Sequence, residues 1–275
     1  RPADPAIHRK LGWTLLAGGH VRDAECVYRR AIELQPDSAI GWAGLALTLV
    51  DQHKNDEAVK IARHAVMPDP QNHSVYRNFI AALHSSRRYD EAITAARSAI
   101  TLAPDHPRSH YHLGCNLLAV GQFKEGWKEY EWRIHHAKND YEGLLQDRSL
   151  PHSIAEWRGE SLVGRTIVLV AEQGYGDSIQ FIRYVTELAH VGACVHVACP
   201  APLVRLFRSV DGVAAVFSSY NGETRFDYRS WLMSLPRLLE TDIDSIPTCV
   251  PYLKTDMTLT QHWRDRLQAI HGLKV

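Results

Sequence analysis

An array of paired helices followed by a parallel α/β domain is the fold class this sequence predicts, and three observations predict it. Prolines recur every 34 residues at Pro2, Pro36, Pro70 and Pro104, and leucines keep the same step at Leu15, Leu49, Leu83 and Leu117. A fixed period of that length marks a stack of helix pairs. The period stops near residue 138 in a polar, irregular stretch. From Gly164 onward, β-branched runs alternate with segments of helical spacing, the pattern of a parallel sheet wound with helices.

Composition agrees with two such domains. The 275 residues are 45% hydrophobic and 23% charged, which excludes a wholly disordered or fibrous chain and suits one domain per ~150 residues. Lys+Arg and Asp+Glu are both 31, so no global charge argues for nucleic acid or an anionic membrane surface as partner. The five cysteines (Cys26, Cys115, Cys194, Cys199 and Cys249) are scattered, without a CxxC pair. That pattern predicts a reduced, cytoplasmic protein rather than a disulfide scaffold. Apolar runs such as Ile167–Ala171 fall far short of the ~20 residues of a membrane span, so no transmembrane segment is expected. Nor does a basic-then-apolar leader open the chain.

The four units begin near Pro5, Ala39, His73 and Pro107. The first supplies Leu11-Gly12, Leu15, Ala24, Tyr28, Ala31 and Pro36. The second supplies Trp42, Leu45-Ala46, Leu49, Ala58, Ala62, Ala65 and Pro70. The third has Tyr76, Leu83, Ala92, Ala96, Ala99 and Pro104, with Ile80 where a small residue is usual. Small residues let antiparallel helices approach, large ones fill the space to the next pair, and proline ends each second helix. Asp23, Asp56 and Asp90 stand at or near the start of each second helix, where negative charge is favoured. The fourth unit starts with Leu113-Gly114 and Leu117 but continues through Phe123–Arg133 with Trp127 and Trp132 and no closing proline, as a capping or docking unit would.

These in-phase residues resemble tetratricopeptide (TPR) repeats over residues 1–138. The resemblance implies a solenoid whose first helices line a concave face that holds a protein or peptide. That face would carry Arg9, Trp13, Arg77, Asn78, His84, Arg108 and Tyr111. The asparagine ladder of TPR glycosyltransferases is not reproduced, since only Asn78 keeps its phase while Lys10, Gly44 and His112 take the equivalent places.

Residues 139–163 read as a linker and 164–271 as a Rossmann-like domain. Thr166–Ala171 is a continuous β-branched run, as in a strand buried on both faces. Ser178–His190 has helical spacing, with Phe181, Tyr184, Val185 and Leu188 on one face. Strands follow at Ala193–Ala198, Val213–Phe217 and Phe226–Leu232, and helices at Leu203–Phe207 and Leu259–Ile270. Between the first strand and helix lies Glu172-Gln173-Gly174-Tyr175-Gly176-Asp177. Ligands of parallel sheets bind at the carboxyl ends of strands, so this turn is the place to look. It lacks the third glycine of a dinucleotide fingerprint, and the residues alone leave Asp177 open as a helix cap or a site group.

The run Trp157–Tyr184, together with Glu125-Gly126-Trp127, Tyr130–Arg133, Leu232–Pro236 and Val250–Leu253, resembles bacterial TPR proteins carrying a GT-B glycosyltransferase domain. Its second half is similar to the N-terminal half of ADP-heptose:lipopolysaccharide heptosyltransferases. The resemblance implies that Asp177 deprotonates an acceptor hydroxyl, that Gly174 and Gly176 shape the turn, and that Gln173 and Ser178 belong to the same substrate- or phosphate-binding turn. It implies a nucleotide-sugar as co-substrate and no other cofactor. The donor would be held mainly by a second Rossmann domain, of which residues 272–275 read as the start, leaving this chain inactive alone. The alternative is a non-catalytic interaction scaffold whose α/β domain is structural.

Other signals point elsewhere. Asp242-Ile243-Asp244 has the DxD spacing of metal-binding glycosyltransferases, but its Thr/Ser/Pro surroundings suit helix capping. His106 and His110 have the spacing of a zinc pair, with His112 beside them, but no carboxylate or cysteine is expected to complete a site nearby. No metal is therefore expected. Arg183 is read as surface-paired, His135-His136 as solvated, and Trp127, Trp132 and Trp157 as glue between the two halves.

Overall fold

A computed structural model describes residues 4–67, 71–135, 150–151, 153–268, 270 and 272. The chain divides into two compact units, Arg1–Asn139 and Asp140–Val275.

The first unit holds the helices α1 Pro5–Ala17, α2 Val21–Leu34, α3 Ala39–Asp51, α4 Asn55–Val66, α5 His73–Ser85, α6 Tyr89–Leu102, α7 Pro107–Ala119 and α8 Phe123–Tyr130. They form four antiparallel pairs with one recurrent turn. Gly19, His53, Arg87 and Gly121 take φ of 77°, 59°, 57° and 79°. The next residue then donates its N–H to a leucine carbonyl five positions back, at 2.8 Å for His20 to Leu15 and 2.9 Å for Lys54 to Leu49. Arg88 to Leu83 and Gln122 to Leu117 repeat it at 2.9 Å. This 6→1 bond closes the C-terminus of each first helix.

The small in-phase residues are where helices touch. Ala24, Ala58 and Ala92 are fully buried in one continuous core with Leu45, Leu49, Leu83 and Leu117. A Cβ on Gly12 would lie 2.8 Å from the Tyr28 ring and one on Gly44 2.2 Å from it, so Tyr28 is wedged between α1 and α3. A Cβ on Gly114 would lie 2.5 Å from the Tyr130 backbone nitrogen. Ile80 breaks the small-residue rule yet is only 1% exposed. In its unit, Ala96 stands where the first and fourth units carry Tyr28 and Tyr130, so bulk moves from one helix to the other and volume is conserved. Pro2 and Pro70 lie outside the described residues.

In the second unit, β1 Ala155–Glu156, β2 Thr166–Val170, β3 Cys194–Ala198, β4 Val213–Phe217 and β5 Tyr228–Trp231 form a parallel sheet in the order β1-β5-β2-β3-β4. β2 is central, with Ile167, Val168 and Leu169 fully buried. Helices α9 Tyr175–Phe181, α10 Tyr184–His190, α11 Ala201–Phe207, α12 Leu235–Leu238 and α13 Met257–Gln268 accompany it. Two expectations are corrected. Part of the stretch read as linker is β1, which pairs Ala155 with Tyr228 and Glu156 with Arg229. The single helix expected over Ser178–His190 is broken at Ile182–Arg183, where the Arg183 Nε donates to the Gln180 carbonyl at 2.8 Å and competes with the helical ladder.

Candidate functional site

On the first helices the expected binding residues take different positions. Trp13 is 54% exposed. Arg9 donates through Nη1 to Gln35 Oε1 at 3.0 Å. Arg77 donates through Nε to Asn78 Oδ1 at 3.1 Å, and Asn78, 6% exposed, donates through Nδ2 to the Ala43 carbonyl at 2.8 Å. Asn78 therefore ties α5 to α3, and its amide is engaged at both ends instead of standing ready for a ligand backbone. Tyr111 lies with its ring 5.4 Å from Tyr130, and Arg108 is half-buried. Sequence reading passed over Asn116: fully buried, it donates to the His112 carbonyl at 2.7 Å and its Oδ1 pairs with His84 Nδ1 at 3.0 Å.

Charge is divided unevenly between helix sets. The first helices α1, α3, α5 and α7 carry Arg9, Lys10, Arg77 and Arg108 against the single acid Asp51. On the second helices, arginines are neutralised across units: Arg29 meets Glu57 at 3.1 Å, Arg63 meets Glu91 at 3.2 Å and Arg97 meets Glu125 at 3.0 Å. Glu25 joins the first two units. Burial pushes its carboxyl up, but hydrogen bonds from Gln52, Arg29 and Lys54 outweigh this and hold it at about 2.

The second candidate is the turn after β2. β3 and β4 follow β2 on one side and β5 lies on the other, so strand order reverses between β2 and β5. Crevices at such switch points hold ligands in open parallel sheets. Glu172, 5% exposed, bridges the two sides by accepting the Met233 N–H at 3.3 Å. Gln173 carries φ of 59°, and Ser178, 2% exposed, donates to the Gly174 carbonyl at 3.1 Å. Asp177 sits in the first turn of α9, where its Oδ2 accepts the Gly174 N–H at 3.1 Å. It thus caps α9 from the third helical position, and this bond occupies one carboxylate oxygen. The two glycines of the turn differ: Gly174 has φ of −81° and a Cβ there would lie 3.1 Å from Asp177 Oδ2, whereas a Cβ on Gly176 would meet nothing within 4 Å, and the left-handed residue is Gln173.

Several other expectations are corrected. A carboxylate does reach the histidine pair: His110 meets Glu129 Oε2 at 2.5 Å through Nδ1 and the Pro104 carbonyl at 2.7 Å through Nε2. Its ring stacks 4.1 Å from Trp132. Trp127 packs on Tyr130, and Trp157 donates to the Glu160 carbonyl at 2.8 Å within the second unit. Asp242 closes a turn, not a helix, accepting from Asp244 N at 3.1 Å and Ser245 N at 3.0 Å. Arg183 is bound internally, 3.3 Å from the Tyr252 hydroxyl and 4.7 Å over its ring. Burial pushes the Cys115 thiol up to about 11 and that of Cys199 to about 12, which disfavours the nucleophilic thiolate. Among the described residues no three metal-binding side chains cluster, and no helix is long and apolar enough to cross a membrane.

Residues 9–73 match the tetratricopeptide repeat family. Type IV pilus assembly protein PilF of Pseudomonas aeruginosa is 31% identical over 184 residues, covering 66% of this chain and 71% of PilF. Protein FlbA of Caulobacter vibrioides is 22% identical over 292 residues, covering 98% of this chain and 48% of FlbA. The Hsp70-Hsp90 organising protein of Plasmodium falciparum is 29% identical over 113 residues, 40% of this chain and 41% of that protein. The chain thus spans about half the length of FlbA and less of the organising protein. The solved structure of Pseudomonas aeruginosa pilF is similar at 26% identity and a TM-score of 0.45, over 50% of this chain and 62% of that one. The likeness found is to repeat proteins, and the glycosyltransferase resemblance gains no support from these relatives. With its in-phase helix pairs and its match to PilF, the chain belongs to the tetratricopeptide-repeat family.

Proposed function

We propose that this chain is a protein-interaction module whose first helices take an acidic, extended segment of a partner. One observation carries the reading: four basic residues against one acid on α1, α3, α5 and α7, beside the exposed indole of Trp13. Such a surface steers and holds negative charge, and an aromatic beside it adds apolar contact. The name Hsp70-Hsp90 organising protein, a relative over 40% of the chain, is in keeping with an assembly role. The test is fluorescence anisotropy with a labelled ten-residue peptide of alternating Glu and Leu, against the same peptide with Gln for Glu. The acidic peptide should bind, weaken with salt, and lose about tenfold in affinity or more with Arg9→Glu and Arg77→Glu together. Equal binding of both peptides rejects the reading.

A second reading is sugar transfer, with Asp177 as base, Gln173, Gly174, Gly176 and Ser178 around the acceptor, and a nucleotide-sugar as donor. It is supported by the left-handed Gln173 beside the β2–β5 switch point, because backbone strain concentrates at functional turns. Full-length protein should then release nucleoside diphosphate from ADP-heptose or another nucleotide-sugar, and Asp177→Ala should stop release while Asp242→Ala does not. No release from any donor rejects it.

A further inference from the structure

The repeat supplies an internal comparison for His110. In the second unit the same phase holds Trp42, whose Nε1 donates to the Pro36 carbonyl at 2.7 Å and whose ring lies 5.5 Å from His64. In the fourth unit the two ring types have changed places: His110 takes the position of Trp42, and Trp132 that of His64. The bond to the loop carbonyl is kept, from Nε2 to Pro104 at 2.7 Å, and the rings stack at 4.1 Å and 10°. An imidazole, however, has a second nitrogen where an indole has carbon. Nδ1 meets Glu129 Oε2 at 2.5 Å, and Glu129 stands where the earlier units carry Val27, Ile61 and Ala95. His110 is 9% exposed and the Glu129 side chain 15%. Two departures from the repeat, a histidine for an indole and a carboxylate for an apolar residue, thus fall on one contact.

Counting hydrogens fixes what that contact holds. A carbonyl oxygen only accepts, so Nε2 carries a hydrogen toward Pro104. A neutral imidazole would then aim a bare lone pair from Nδ1 at a carboxylate oxygen that also only accepts. At 2.5 Å two lone pairs repel, so a hydrogen lies between Nδ1 and Oε2. The pair therefore holds one proton more than a neutral imidazole beside a free carboxylate. The near-parallel indole of Trp132 favours that proton too, because a cation over an aromatic face is attracted by it. Other titratable groups stand further out. On α7 there is His106, its ring 4.7 Å from His73 of α5, and beyond the indole there is His135, 5.5 Å from Trp132. Glu131 pairs with Arg133, and the loop after α6 offers only the neutral Pro104 carbonyl.

We propose that His110, Glu129 and Trp132 form a proton-dependent latch at the end of the array. An imidazolium joins the loop after α6 to the carboxylate of α8, and the latch slackens as its proton leaves. A proton held in the closed form and released on opening makes closure strongest at low pH and weaker as pH rises. Gln in place of Glu129 removes the need for it, since an amide donates to a bare Nδ1 or accepts from a protonated one.

The test uses the full chain at about pH 6.5 and about pH 8.5, with nitrogen–proton NMR of the histidine rings and amide exchange corrected for intrinsic rates. At the lower pH both ring nitrogens of His110 should carry hydrogen. The α8 amides around Glu129 should lose about threefold or more of their protection at the higher pH, and Glu129→Gln should abolish that loss. Circular dichroism checks that the variant is folded. A single protonated nitrogen on His110 at the lower pH overturns the proposal. So does protection that stays level in the parent chain, or that falls equally in parent and variant.

Discussion

A Cβ on Gly114 would lie 2.5 Å from the Tyr130 backbone nitrogen and one on Gly44 2.2 Å from the Tyr28 ring, while one on Gly176 meets nothing within 4 Å. The same residue type therefore does opposite things in the two units. In the array, Gly12, Gly44 and Gly114 are where helices press together, and the repeat shows the same solution several times over. In the sheet unit, the turn after β2 occurs once, its Gly176 is uncrowded, and a buried glutamate and a left-handed glutamine hold its shape.

The largest effect should separate the two units most clearly. Gly114→Ala should cost about 1–3 kcal/mol in urea unfolding, because backbone rather than a flexible side chain blocks the new methyl. Gly176→Ala should stay within about 0.5 kcal/mol. Equal costs would break the comparison.

The recurrent turn sharpens it further. His53 and Arg87 occupy the left-handed position that Gly19 and Gly121 fill in the outer units. Arg87→Gly should raise stability by about 1 kcal/mol, since a side chain is penalised there. Gln173→Gly should give a comparable gain in the sheet unit. A gain accompanied by lost sugar transfer would mark Gln173 as strained for function.

Smaller effects come from charge. Arg63→Glu, which breaks one ladder pair and sets like charges together, should cost no more than about 1 kcal/mol and less at high salt. The Glu25 carboxyl lies well below its ordinary value of 4.5, at about 2. A depressed carboxylate stabilises above its unfolded value and loses that stabilisation as pH falls through the folded one. Glu25→Gln should therefore be less stable than the parent chain at pH 7, with the difference closing between about pH 4.5 and pH 2.

The array was legible because its signals repeat. Each of Leu15, Leu49, Leu83 and Leu117 marks the start of the same turn, and Ala24, Ala58 and Ala92 the same contact. Even Ile80 follows once its size is set against Ala96. The β-branched run at β2 likewise announced a buried central strand. Pairings distant in sequence were not legible. Nothing near Asn78 or His110 announces Ala43 or Glu129 as partners, and both pairings decide what those side chains can still bind. Ala155–Glu156 is too short to show a period and becomes a strand only through β5. Asp177 kept two meanings because a cap and a base share one position in a strand–helix turn.

The central claim is that the basic first-helix face is the binding surface. Amide and side-chain NMR shifts of the chain titrated with the acidic Glu/Leu peptide test it most directly. The account predicts saturable shifts at Arg9, Trp13, Arg77, Arg108 and Tyr111, with the ladder arginines Arg29, Arg63 and Arg97 unmoved. Shifts confined to the second helices or to the Glu172–Ser178 turn would contradict it.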